Sequence, residues 1–166
     1  LSVWSHVDLN GDDVADRTTV STRALNADGS VTDSISTRST SFKLLQNDTT
    51  TTSDDKLTVV HTRDLDGDGS VDWRSTSSKT LGNDGSVTTD VSVHEMRNEA
   101  GGTANYASTL RSRAVETVSD DSRHYSLSED VNGDGAFDRV TLRTIETNVK
   151  LTEIVRQSNE ATKEAV

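Results

Sequence analysis

Residues 1–37 of this chain recur at residues 57–93. Shifted by 56 positions and aligned without a gap, the two stretches share 15 identities. The alignment pairs Leu1 with Leu57, Leu25 with Leu81, and Asp28-Gly29-Ser30-Val31-Thr32 with Asp84-Gly85-Ser86-Val87-Thr88. A shift of 66 then pairs Ser53-Asp54-Asp55 with Ser119-Asp120-Asp121, so the second unit is about ten residues longer. A chain built this way stacks supersecondary units on their neighbours instead of enclosing one central core. The units are read as 1–56, 57–122 with an insertion near 98–107, and a partial third at 123–166.

The most regular part of each unit is a nine-residue segment. Its three copies are Asp8-Leu9-Asn10-Gly11-Asp12-Asp13-Val14-Ala15-Asp16, Asp64-Leu65-Asp66-Gly67-Asp68-Gly69-Ser70-Val71-Asp72 and Asp130-Val131-Asn132-Gly133-Asp134-Gly135-Ala136-Phe137-Asp138. Oxygen-bearing side chains occupy positions 1, 3, 5 and 9, with glycine at 4 and usually at 6. Hard cations such as Ca²⁺ require six to eight oxygen ligands, and a short loop supplies them only by turning sharply, as glycine permits. Each loop offers side-chain oxygens from positions 1, 3, 5 and 9 and the backbone carbonyl of position 7 (Val14, Ser70, Ala136). Water would complete the shell. In loop one, Asp13 stands where the others have Gly69 and Gly135. Its side chain resists the backbone angles that glycine accepts, so the first site is expected to be the weakest.

Composition supports this reading. Leu, Ile, Val and Phe together number 35 of 166 residues, and aromatics are 4%, near the level at which chains cease to fold by apolar burial. The formal charge is −11, and the three loops hold eleven Asp residues. Three bound Ca²⁺ ions would reduce the charge to −5, so the acidity reads as ligand provision. Clustered Lys and Arg for phosphate binding are lacking, which argues against nucleic acid, and no apolar run reaches membrane-spanning length. There is no Cys and no Pro, which removes disulfides, thiolate metal sites and slow prolyl isomerisation. The chain opens in mid-pattern without a signal-peptide signature, and further sequence is expected to precede it.

Between the loops, Thr, Ser and Val favour strands, with alternation at Val31/Asp33/Ile35 and Val87/Thr89/Val91/Val93. Asn26-Ala27-Asp28-Gly29 and Asn83-Asp84-Gly85 are hairpin turns, and Ser53-Asp54-Asp55 and Ser119-Asp120-Asp121 are further turns. Strands are expected at 1–7, 17–25, 30–43, 56–63, 73–81, 86–97, 106–118, 122–128, 139–147 and 149–156. Thr49–Thr52 reads as an exposed turn and Ser158–Val166 as a short helix or linker. The fold class that follows is all-β, an antiparallel strand meander of tandem repeats with calcium-binding loops.

The loops, set among strands and NADGS-type turns, resemble the repeats of large secreted bacterial calcium-binding proteins, including RTX-type adhesins and surface-layer-like proteins. The loop alone is also similar to those of thrombospondin type 3 repeats, dockerins and integrin propeller blades. The resemblance implies Ca²⁺-dependent folding and a structural or adhesive role outside the cell or on its surface. Two departures limit it. The glycine-rich nonapeptide of RTX β-rolls is absent, and position 12, where an EF-hand has Glu, is Thr19, Ser75 and Thr141.

Other residues take simpler readings. Asp28, Asp54, Asp55, Asp84, Asp120 and Asp121 serve turn formation before metal binding. Arg17, Arg74 and Arg139 follow the last loop Asp closely and either orient it or are exposed strand charges. His6, His61, His94 and His124 do not recur in register, so neither zinc binding nor catalysis is expected of them. Asn47-Asp48-Thr49 matches a glycosylation acceptor by pattern only. With no nucleophile elbow, phosphate loop or reactive Cys, no enzymatic activity is expected. The chain reads as a calcium-stabilised structural segment whose partners are neighbouring repeats or identical subunits. The alternative is a calcium-dependent module that binds a surface glycan or protein receptor.

Overall fold

The computed structural model describes residues 1–98, 106–146 and 151–157. It is all-β: eleven strands in one antiparallel meander, each neighbouring the next in sequence. The strands are β1 (Ser2–Val7), β2 (Arg17–Leu25), β3 (Val31–Ser39), β4 (Leu44–Thr52), β5 (Thr58–Asp64), β6 (Trp73–Leu81), β7 (Val87–Asn98), β8 (Tyr106–Val118), β9 (His124–Asp130), β10 (Arg139–Ile145) and β11 (Leu151–Gln157). Two compact units divide the chain, Leu1–Thr76 with His94–Ser108, and Ser77–Val93 with Thr109–Val166.

One strand was not foreseen. The expected strand 30–43 ends at Ser39 as β3; a tight turn at residues 40–43 leads into β4, residues 44–52, where no strand was expected. In that turn the Ser39 amide donates to the Lys43 carbonyl and the Phe42 amide to the Ser39 carbonyl. The Thr49–Thr52 run, expected to be an exposed turn, is the end of β4. Its polar sequence shows no hydrophobic alternation, and it is held by backbone pairing on both edges, Val31↔Thr52 on one side and Val59↔Thr52 on the other. The turn was hidden because it contains no glycine; Phe42 itself adopts the left-handed φ of 61°.

The ten-residue difference between units is distributed along a hairpin-sized segment. β3 and β4 have nine residues each, whereas their counterparts β7 and β8 have twelve and thirteen. The connection 99–105, where an insertion was expected, lies outside the described residues, as does the expected helix or linker at 158–166.

Among the described residues no hydrophobic side chain is buried; the buried residues are Thr18, Ser30, Asp64, Asp130 and Thr141. Cohesion therefore comes from the backbone ladder and from cross-strand pairs, each contributing about 0.2–1 kcal/mol. In the first unit Arg23 pairs with Asp33 and Arg63 with Asp48, each directly opposite its partner. In the second, Arg139 pairs with Glu129 and Arg143 with Glu153 in the same manner. Hydroxyl pairs recur between units: Thr32 with Thr51 at 3.2 Å, and the equivalent Thr88 with Thr117 at 3.0 Å. Where Ser34 donates to Asn47 in the first unit, the equivalent positions carry Asp90 and Arg113, which form a two-bond ion pair.

Phe42 is 65% exposed, so little packing offsets its strained φ, a conformation costing a non-glycine residue about 1–2 kcal/mol. Asn accepts that region more readily. Phe42→Asn is expected to raise stability by roughly 0.5–1 kcal/mol, measured as a higher urea midpoint at unchanged slope.

Candidate metal-binding loops

The three nine-residue segments fold alike. Position 1 accepts two backbone N–H groups through its two carboxylate oxygens, from positions 4 and 6. In loop two Asp64 takes Gly67 N–H at 2.7 Å and Gly69 N–H at 2.9 Å. In loop three Asp130 takes Gly133 and Gly135 at the same distances, and in loop one Asp8 takes Gly11 at 2.7 Å and Asp13 at 2.9 Å, its Oδ1 also accepting Asn10 N–H at 3.1 Å while Oδ2 keeps a free lone pair. Position 9 reaches back to the N–H of position 2: Asp16 to Leu9, Asp72 to Leu65 and Asp138 to Val131. Position 3 accepts from position 5, through Asn10, Asp66 and Asn132. Position 5 accepts from position 7, through Asp12, Asp68 and Asp134.

This pattern needs left-handed backbone at positions 4 and 6. The glycines provide it at φ between 73° and 90°, and Asp13 adopts it at 66°. The strain expected of Asp13 from its sequence position is thus located on its backbone. The N–H of position 9 closes each loop by donating to the carbonyl of the residue before position 1, namely Val7, Arg63 and Glu129.

Each carboxylate oxygen that accepts one N–H retains a second lone pair. The side chains at 1, 3, 5 and 9 are therefore fixed by the backbone without being saturated. Among the described residues, one group of three acidic side chains has ligand atoms all within 4.8 Å of one another: Asp64, Asp66 and Asp72 in loop two. Asp68 stands outside that group. In loops one and three the third position is an amide, Asn10 and Asn132, whose side-chain nitrogen donates to Asp12 at 3.2 Å and to Asp134 at 3.3 Å. Beside loop two lies an open depression of about 550 Å³ lined in part by Asp66, Asp68, Trp73 and Glu95. The backbone there is anchored to the long β7, with Met96 N–H donating to the Asp72 carbonyl at 2.7 Å.

The loops differ in what covers them, which their sequences do not reveal. A β-carbon on Gly67 would lie 2.3 Å from the Leu44 carbonyl oxygen at the start of β4. One on Gly133 would lie 2.3 Å from the Leu110 carbonyl oxygen in β8, and one on Gly11 would meet none of the described residues within 4 Å. Correspondingly Asp64 is 5% and Asp130 1% exposed, while Asp8 is exposed. Gly11→Ala should incur only the left-handed penalty of about 1 kcal/mol. Gly67→Ala and Gly133→Ala must also displace a strand and should cost about 3 kcal/mol. Chemical denaturation of the three variants measures the difference.

Four of the six aspartates outside the loops that were read as turn formers accept hydrogen bonds within turns. Asp28 accepts both the N–H and the hydroxyl of Ser30, and Asp84 does the same for Ser86. Asp55 and Asp121 bind the hydroxyls of Ser53 and Ser119. These serine hydroxyls are the main cause holding all four carboxyls below the ordinary value of 3.8; at Asp8 the main cause is the Gly11 N–H. A carboxyl depressed in the folded state contributes stability that is fully present above its unfolded pKa and is lost as pH falls through its folded one. Ser30→Ala with Ser86→Ala is therefore expected to reduce stability above pH 4 and to flatten its decline below pH 4. Urea midpoints measured from pH 6 down to pH 2 test this.

Of the histidines, His6 lies 3.0 Å from the Thr18 hydroxyl and His61 lies 3.5 Å from Asp48. Arg139 is engaged by Glu129 on the neighbouring strand. No family model, curated protein or solved structure matches this chain.

Proposed function

We propose that this chain is a calcium-stabilised structural repeat segment of an extracellular bacterial surface, filament or adhesin-stalk protein. The observation that carries the reading is the threefold recurrence of one hydrogen-bond pattern. In every loop the backbone orients Asp, Asn or Asp oxygens at positions 1, 3, 5 and 9 while leaving lone pairs available to a cation. The donor set is all oxygen, the chemistry that suits Ca²⁺ and gives Mg²⁺, with its tighter octahedron, no advantage. Ligands at Asp8, Asn10, Asp12, Asp16 and the Val14 carbonyl would serve the first ion. Asp64, Asp66, Asp68, Asp72 and the Ser70 carbonyl would serve the second, and Asp130, Asn132, Asp134, Asp138 and the Ala136 carbonyl the third. Each ion would tie the two strands flanking its loop, stiffening a sheet in which no described hydrophobic side chain is buried.

The energetics favour dependence on the metal. At about 100-fold excess over Kd one site contributes roughly 2.7 kcal/mol, so three independent sites give about 8 kcal/mol, comparable to the 5–15 kcal/mol of an ordinary domain. Such a chain would remain loose where Ca²⁺ is scarce and become ordered outside the cell. Calorimetric titration is expected to find about three Ca²⁺ per chain, and chelator is expected to abolish the β-sheet circular dichroism. Asp68→Ala should remove one ion, while Asp13→Gly should leave the first site intact or tighter. Unchanged melting in chelator would overturn the reading.

A further inference from the structure

We propose that β1 and loop one form an acceptor site for an extended strand of the β4 type, supplied from outside residues 1–157. The molecule already contains this interface twice. The start of β4 lies over Gly67 and pairs with β5, with Asn47↔Asp64, Thr49↔Thr62 and Thr51↔Val60 in register. The middle of β8 lies over Gly133 and pairs with β9, with Arg113↔Asp130 in the equivalent register. In both, the residue whose carbonyl meets the loop glycine is a leucine, Leu44 or Leu110. Loop one has the same backbone conformation and the same N–H caps, but among the described residues nothing lies within 4 Å of a β-carbon placed on Gly11.

β1 is prepared for such a partner. Among the described strands it is an edge of the sheet, exposed at every residue. Leu1 exchanges both backbone hydrogen bonds with Arg23, so by the alternation of an antiparallel ladder Ser2, Trp4 and His6 turn their N–H and C=O groups away from β2. Strand addition uses such an edge. Edge strands that resist pairing carry charge or proline; β1, Ser-Val-Trp-Ser-His-Val, carries neither Asp, Glu, Lys, Arg nor Pro. The opposite edge β11 carries Glu153 and Arg156. In the accepted strand, a residue in the place of Asn47 pairs with Asp8, one in the place of Thr49 with His6, and one in the place of Thr51 with Trp4. Its leading leucine lies over Gly11.

The inference shares the loops with the calcium reading but rests on strand packing, so it is tested at fixed millimolar Ca²⁺ by comparing chains, not by removing metal. Leu57 is the repeat equivalent of Leu1, so a copy of residues 44–56 joined directly ahead of Leu1 reproduces the β4–turn–β5 connection. In a Trp73→Phe background, where Trp4 is the remaining tryptophan, the extension is expected to shift Trp4 emission to the blue and raise the melting temperature by about 5 °C or more. The same extension with Thr49→Pro and Thr51→Pro in the added copy, which removes donors facing β1, should produce neither change. Should the first extension leave emission and melting at their starting values, or the proline-bearing one match it, the acceptor site would be disproved. Sedimentation of the unextended chain as a dimer with Trp4 already blue-shifted would equally overturn the assignment, because the occupant would then be the edge of a second copy.

Discussion

One carboxylate organises each loop: the Asp at its first position, which ends or directly follows the preceding strand. Its two oxygens accept the N–H groups of positions 4 and 6, and that pair of hydrogen bonds makes the chain turn back within nine residues. Everything downstream follows from the turn. Position 9 then lies close enough to cap position 2, and its own N–H reaches the carbonyl before position 1, so the next strand leaves antiparallel to the last. An isolated, nearly buried carboxylate is costly. Asp130, at 1% exposure, is tolerated because both of its oxygens are hydrogen-bonded.

With no hydrophobic side chain buried among the described residues, the sheet must distribute its cohesion, and it does so with pairs that exchange chemistry between units. Ser34–Asn47 in one becomes Asp90–Arg113 in the other, a hydroxyl–amide bond replaced by a charge-assisted one. Arg113 also lies 5.8 Å from the ring centre of Phe137 in loop three. Arg143 occupies the same kind of position over Tyr125, at 5.5 Å, while pairing with Glu153. Individually such exposed pairs contribute little. Their value lies in fixing register, because in a strand with two polar faces the side-chain pattern otherwise leaves slippage nearly free.

The sequence was most legible where chemistry forces a conformation. Gly29 and Gly85, Gly67 and Gly133 mark left-handed turns, and the loops and hairpins lie where those glycines placed them. The all-β class followed from Thr, Ser and Val between such turns. Legibility failed at β4, where a run of Thr and Asn has no periodicity to betray a strand, and at Phe42, whose turn lacks glycine's signal; the turns that contain Lys56 and Ser122 were legible in their Ser-Asp-Asp runs, but not their left-handed angles. The covering of loops two and three was also invisible. It depends on where Leu44 and Leu110 arrive in space, and loop one, with the same residues at positions 1, 3, 4, 5 and 9 as loop three, lies open.

The amide caps have a chemical consequence as well. Loops one and three each contain Asn followed by Gly, the pair most prone to spontaneous deamidation, because the glycine nitrogen attacks the asparagine side chain to form a succinimide; asparagine is among the thermolabile residues for this reason. That nitrogen is committed here. Gly11 N–H and Gly133 N–H are each held at 2.7 Å by the first aspartate of the loop, and the backbone geometry that holds them also keeps Asn10 and Asn132 turned toward the N–H groups of Asp12 and Asp134. The bond that shapes the loop thus also slows its ageing. Where it loosens, Asn converts to Asp or to its backbone-inserted isomer, and the isomer lengthens the chain by one atom inside a turn that has no slack. Loop two, with Asp66 at that position, has no such amide to lose.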